Sequence, residues 1–297
     1  MRQILDKPKH SRLDRGMAKQ KKSASTGPKW DKELKAAFAA ATGSKRILNK
    51  YFGRLSQVSE KFQAGLVSEA DRESEKYIIK SLRQKFSSHE FLGEETGLSK
   101  AAKNKIKVGN QAGSTMKWVI DPLDGTTNYI HQFPYFCISI ALQVDGKIVL
   151  GVIDAPKLKM RFHAVRGYGA FLNGKKISVS DRKTIHEGLF ATGFSAQDNA
   201  LDKQLKLCAH VVQKGRGLRR AGAAALDLCF VANGVFDLFW EKHLQPWDTA
   251  AGSLIALEAG ATVTNLAGDS YNIEMQHIVA GTPKIHSEFM KLYREIE

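Results

Sequence analysis

Residues 118–128 read Trp-Val-Ile-Asp-Pro-Leu-Asp-Gly-Thr-Thr-Asn. The apolar run from Met116 to Ile120 has the composition of a strand and delivers Asp121 at its end. Pro122 has no N–H to donate, so the spacing predicts that the ladder stops there. Asp124 follows, and Gly125-Thr126-Thr127-Asn128 open what reads as a helical turn. Two carboxylates on a stiff turn beside unpaired backbone N–H groups can hold hard divalent cations on one side and a phosphate on the other. The same residues also suit a plain turn in which each Asp caps backbone groups. The company the motif keeps favours the first reading.

Three further carboxylate-bearing element ends occur. A short apolar strand, His89 to Leu92, runs into Gly93-Glu94-Glu95. Ser68-Glu69-Ala70-Asp71 begins the helical pattern Ile78, Ile79, Leu82, Phe86. Gln245-Pro246-Trp247-Asp248 precedes the small and apolar residues of a buried helix, Ala250 to Ala259. Taken singly, Asp71 and Asp248 read as helix N-caps. Together the four ends fit a multi-metal phosphate site.

Glu94-Glu95, the stretch Asp121 to Asn128, and Trp247-Asp248-Thr249-Ala250-Ala251-Gly252 resemble, in order and spacing, the three signatures of the inositol monophosphatase family. The resemblance runs from about Asp31 to Lys284. It implies a layered αβαβα fold of the α/β class, homodimers, and Mg2+-dependent, Li+-sensitive phosphomonoesterase activity with two or three Mg2+ per subunit. Carried over by position, Glu94, Asp121 and the Leu123 carbonyl resemble ligands of a first metal. Asp121, as a bridge, with Asp124 and Asp248 resembles the second set, and Glu95 matches an acidic supporting position. The Gly125 and Thr126 amides would bind phosphate oxygens. The Thr126 hydroxyl would orient the attacking water with Glu94, and Asp71 would accept its proton. Arg219 to Asp227 resembles the family's substrate loop, in which the backbone at Gly222, Ala223 and Ala224 would meet polyol hydroxyls, with Glu241 accepting from vicinal hydroxyls. The implied substrate is myo-inositol monophosphate. A broader sugar-phosphate phosphatase, of the fructose-1,6-bisphosphatase kind, is the alternative. Thr127 stands where related nucleotide phosphatases usually carry Lys, which favours a small polyol phosphate.

The chain has 297 residues, 43% hydrophobic and 25% charged, ordinary for a globular protein with a sizeable core. No apolar run approaches a membrane span, and no apolar core follows the basic amino terminus, so neither a membrane protein nor a secreted one is expected. Cys137, Cys208 and Cys229 lie in apolar segments and read as reduced core thiols of a cytoplasmic protein. The formal charge of +15 is unusual for an acidic site. Residues 1–30 carry nine Lys/Arg against Asp6 and Asp14, a net of +7, which leaves +8 for the remainder. That tail, residues 1–29, lacks apolar periodicity and reads as disordered. It is either a solvated extension or an arm for RNA. The resemblance leaves the second idea open, since some bacterial relatives are thought to serve in RNA transcription and maturation.

Two halves follow the tail. Residues 30–181 should form an α+β half carrying most metal ligands, and residues 182–297 an α/β half carrying the substrate loop and Asp248. The first opens with helical spacing from Trp30 to about Leu55, interrupted near Gly43, then a short strand and turn in residues 56–67. Residues 97–115 are polar and read as a mobile loop beside the metals. Asp145-Gly146 and Asn173-Gly174 punctuate β-type runs at Cys137 to Val144, Ile148 to Ile153, Met160 to Ala164, Ala170 to Leu172 and Ile177 to Val179. Strand–helix alternation then runs from Leu189 to Asn265.

Overall fold

The computed structural model describes residues 29–61, 65–100, 114–194 and 200–296. The basic tail and most of the expected loop at 97–115 lie outside them. The chain opens with α1 (Asp31–Tyr51), the hairpin β1 (Val58–Lys61) and β2 (Gly65–Ser68), and α2 (Glu69–Arg83). Next come β3 (Glu90–Gly93), β4 (Gly97–Ser99), β5 (Met116–Asp124) and α3 (Thr126–Ile130). The strands β6 (Cys137–Val144), β7 (Lys147–Ala155), β8 (Met160–Val165), β9 (Ala170–Leu172) and β10 (Lys175–Ile177) complete a sheet of order β10-β9-β8-β7-β6-β5-β3-β4. Its pairings are antiparallel except β3 with β5. The remaining elements are β11 (Leu189–Thr192), α4 (Leu201–Lys214), β12 (Gly217–Arg219), α5 (Ala224–Ala232), β13 (Leu238–Glu241), α6 (Pro246–Glu258), β14 (Thr262–Thr264), β15 (Ile278–Gly281) and α7 (Pro283–Ile296). Their strands form a five-stranded sheet of order β12-β11-β13-β15-β14.

The layers follow from where apolar surface has to go. The alanine face of α1 (Ala36, Ala37, Ala40, Ala41) packs with Ile78 and Leu82 of α2 against Trp118, Ile120 and Ile140 of the large sheet. Helices α5 and α6 are apolar on nearly every face, as elements buried on two sides must be. They fill the space between the sheets, meeting Ile153 and Phe162 on one side and Phe239 and Ala280 on the other. Gly151 lets α6 approach β7, since a Cβ there would lie 2.8 Å from the Ala251 carbonyl oxygen. Helices α4 and α7 close the outer face of the second sheet around Trp240 and Phe289. The result is a layered α/β fold. No described helix is long and apolar enough to cross a membrane.

Several local expectations need correction. α1 runs through Gly43 without interruption, because α2 packs there and a Cβ would collide with the Tyr77 ring. β5 does not stop at Pro122. The register shifts between Asp121 and Asp124, so the proline sits in an irregularity that needs no N–H, and pairing resumes at Asp124 opposite Cys137. β10 lies two residues earlier than the apolar run suggested, at 175–177. Asp71 and Asp248 are not N-caps but third residues of their helices, and the caps are Ser68 and Gln245. The second half also contains β12, β15 and α7, which strand–helix alternation did not reveal, and it mixes parallel with antiparallel pairing. All three cysteines are buried and unpaired.

Candidate active site

Four helices begin around the end of β5. α3 starts directly after it, with Gly125 in the left-handed region at φ 93°. A Cβ on Gly125 would meet the Tyr135 carbonyl oxygen at 3.1 Å and the Gly222 carbonyl oxygen at 3.3 Å, so the turn and the loop before α5 are in close approach. Asn128 ties them together, donating from Nδ2 to the carbonyls of Tyr135 at 2.7 Å and Ala221 at 2.8 Å. The first turn of α5 reaches the end of β5, where the Ala225 N–H donates to Asp124 Oδ2 at 2.8 Å. α6 joins through Ser139 Oγ, which donates to the Trp247 carbonyl at 3.3 Å. α2 joins through Asp71, whose Oδ1 accepts the Thr126 hydroxyl at 3.0 Å. The Leu123 carbonyl lies 3.1 Å from the same hydroxyl. Ser68 fixes Asp71 in turn, its N–H and Oγ both donating to Oδ2 at 2.8 and 2.6 Å. Four helix starts meeting in one place create a field that attracts anions.

The carboxylates bring the opposite charge. Asp121 is buried, and its Oδ1 accepts the Leu123 N–H at 2.9 Å. Burial, followed by the charges of Glu94, Asp124 and Asp248, holds its pKa well above the usual carboxylate range. Burial and then Asp248 raise Asp124 likewise. Each of the four acidic residues therefore stands close enough to another to feel its charge. Glu94 follows β3 and is fastened by its N–H to the Ile120 carbonyl at 3.2 Å. Asp248 spends one oxygen on the Gln245 N–H at 2.7 Å. Among the described residues no three His, Cys, Asp or Glu side chains stand in a closed metal-binding cluster. The donor set is nonetheless all oxygen, the chemistry suited to Mg2+ rather than to zinc.

On the other side of the cleft, burial and the neighbouring Asp227 raise Glu241 well above its usual range. Glu241 fills the space beside Gly193, where a Cβ would overlap its carboxyl group. Gly222 adopts φ 88°, Ala223 and Ala224 are buried, and the positive charge of Arg220 from the same loop opposes the upward shift of Glu241. Asp227, pushed up to about 7 by burial, accepts the Tyr135 hydroxyl at 2.6 Å. Residue patterns did not single out Ser68, Asn128 or Tyr135 for roles. The Ser68-x-x-Asp71 spacing of a capping box is the one signal that would have drawn attention to Ser68.

A family model described as the inositol monophosphatase family matches residues 29–297. The chain is 41% identical over 256 residues to Nus factor SuhB of Pseudomonas aeruginosa, covering 84% of this chain and 92% of that one. It is 37% identical over 264 residues to inositol monophosphatase 2 of Solanum lycopersicum, covering 88% and 97%. Among solved structures, the extragenic suppressor protein suhB of Bartonella henselae superposes with a TM-score of 0.82 at 36% identity, covering 89% and 99%. The fold, the cleft and these similarities agree: the chain belongs to the inositol monophosphatase family, a family of generally Mg2+-dependent phosphatases.

Proposed function

We propose that the protein is a Mg2+-dependent phosphomonoesterase that releases phosphate from myo-inositol monophosphate or a closely similar polyol phosphate. The observation that carries this reading is the pairing of opposites in one cleft. Asp121, Asp124, Glu94 and Asp248 repel one another across a buried space, beside helix starts and the Thr126 hydroxyl held by Asp71. Uncompensated like charges in a buried space are unfavourable, and an arrangement of this kind calls for a cation. Glu94, Asp121, Asp124, Asp248 and the Leu123 carbonyl are the residues that would hold it. Mg2+ bound there supplies Lewis acidity, activating water near neutral pH and neutralising charge on the departing oxygen.

The chain's own residues do the rest. The Gly125 and Thr126 amides receive phosphate oxygens at the start of α3. Asp71 fixes the Thr126 hydroxyl rotor so that its lone pairs face the incoming water, and Glu94 is the second partner of that water. The backbone at Gly222 to Ala224 and the Glu241 carboxylate orient the polyol. Attack is in line, with water as the nucleophile. The relative named inositol monophosphatase 2 and the Thr127 position both favour a polyol ester. Turnover of inositol 1-phosphate, fructose 1,6-bisphosphate, histidinol phosphate and 3′-phosphoadenosine 5′-phosphate, each with Mg2+ and with EDTA, tests the reading. Inositol 1-phosphate should be preferred and EDTA should abolish the reaction. Hydrolysis that persists in EDTA overturns the mechanism, and a preference for fructose 1,6-bisphosphate moves the protein to the broader sugar-phosphate class.

A second reading, an RNA-associated accessory role, is favoured by the name Nus factor SuhB on a relative and by the net charge of +15. Retention of RNA at moderate salt by the full-length protein tests it, and no retention ends it.

A further inference from the structure

α2 faces the site with more than Asp71. Ser74 and Glu75, one turn further on, are also buried. Ser74 Oγ donates to the Pro122 carbonyl at 3.1 Å and lies 2.6 Å from Ser44 Oγ. Glu75 is 1% exposed, and its Oε2 accepts the Glu95 N–H at 2.8 Å. Thr96 lies near the same carboxylate and favours its charged form. Gly93 makes this possible: a Cβ there would lie 2.5–2.8 Å from the Glu75 carboxyl atoms, so the carboxylate occupies the space that a side chain would fill. Its other oxygen, Oε1, is buried without a hydrogen-bond partner.

A desolvated carboxylate beside another acid is a poor way to stabilise a helix that already packs through Ile78 and Leu82. Its hydrogen bond to the Glu95 N–H and its close approach to Gly93, however, both address the turn that carries Glu94. We propose that Glu75 is a positioning residue, which clamps the Glu94–Glu95 turn by accepting its backbone N–H through the gap at Gly93 and so sets Glu94 against Asp121. Asp71, Ser74 and Glu75 then form one rigid rail along α2, addressing Thr126, the Pro122 carbonyl and the Glu94 turn in succession. Partners that orient metal ligands typically change metal affinity by about 10–100-fold when removed.

The consequence for turnover rests on the phosphatase reading, but calorimetric titration with Mg2+ alone reads the positioning directly. Glu75→Ala in the full chain should weaken Mg2+ binding about 10–100-fold. It should raise the Mg2+ concentration needed for half-maximal turnover more than it lowers kcat at saturation. Glu75→Gln keeps an acceptor oxygen and should stay within about threefold of wild type. Gly93→Ala leaves Glu75 in place but displaces its carboxylate, and should weaken Mg2+ as Glu75→Ala does. Wild-type Mg2+ affinity in folded Glu75→Ala overturns the proposal, and where that variant does not fold, wild-type affinity in Gly93→Ala does the same. Glu75→Gln as damaging as Glu75→Ala also overturns it. Absence of ester hydrolysis by the wild-type protein would strike the phosphatase reading and leave the Mg2+ comparison intact.

Discussion

Asp121 is held in a costly state: buried, one oxygen committed to the Leu123 N–H, the rest of its surroundings acidic. Replacing it with Asn removes the charge while keeping shape and an acceptor. Turnover should fall by orders of magnitude, while thermal stability without Mg2+ should hold or rise, because the repulsion from Glu94, Asp124 and Asp248 is relieved. Near-normal turnover in Asp121→Asn would remove it from the metal set. Thr126→Ala tests a different group. The hydroxyl contacts Asp71 and the Leu123 carbonyl, both fixed parts of the protein, so its loss should reduce kcat about a hundredfold and leave KM little changed. An effect confined to KM would instead assign Thr126 to substrate binding. Asp227 belongs to stability rather than chemistry. Burial pushes it up to about 7, so between about pH 4 and 7 the native protein keeps a proton that the unfolded chain releases. Native stability therefore falls as pH rises through that window, by at most about 1.4 kcal/mol per pH unit from this group. Asp227→Asn, which still accepts from Tyr135, should flatten that slope in urea titrations at about pH 5 and about pH 8. An unchanged slope would mean the carboxyl ionises normally.

At the scale of elements, the site depends on how closely α6 lies on the large sheet. α6 carries Asp248, and its contact with β7 at Gly151 leaves no room for a methyl group, with the Ala251 Cα 2.9 Å from where a Cβ would go. Gly151→Ala should destabilise the protein by about 1–3 kcal/mol through overpacking. It should also lower turnover, since the helix that moves takes Asp248 with it. Loss of stability with unchanged turnover would show that α6 tolerates the shift without moving its first turn. The Gly252 contact with Leu228 gives α5 and α6 the same intimacy, which makes the pair a single slab joining the two sheets.

At the scale of the molecule, repulsion within the cleft and the strongly basic remainder of the chain oppose each other. Adding Mg2+ should raise the melting temperature, by the equivalent of about 2.7 kcal/mol at a hundred times its Kd. No shift at millimolar Mg2+ would count against the cleft as a cation site. The family match begins at residue 29, so deleting residues 1–28 should leave phosphatase turnover unchanged while removing eight Lys/Arg and two Asp, a net charge of +6. A fall in turnover would give the basic tail a part in the site.

The sequence alone determined the family signatures, the apolar runs that lead into Glu94 and Asp121, and the hairpins at Asp145-Gly146 and Asn173-Gly174, because each is encoded within a few consecutive residues. It misread Asp71 and Asp248 as caps and Gly43 and Pro122 as breaks, because a residue's local preference says nothing of what packs against it. The tertiary structure decided which distant groups meet: Asp71 with Thr126, Asn128 with Ala221, Glu75 with Glu95. It also decided that α7 and β15 complete the second sheet's layers. Those pairings join residues 20 to 93 positions apart. They exist only once the two sheets have closed on α5 and α6, when burial turns a set of solvated acids into one charged cleft.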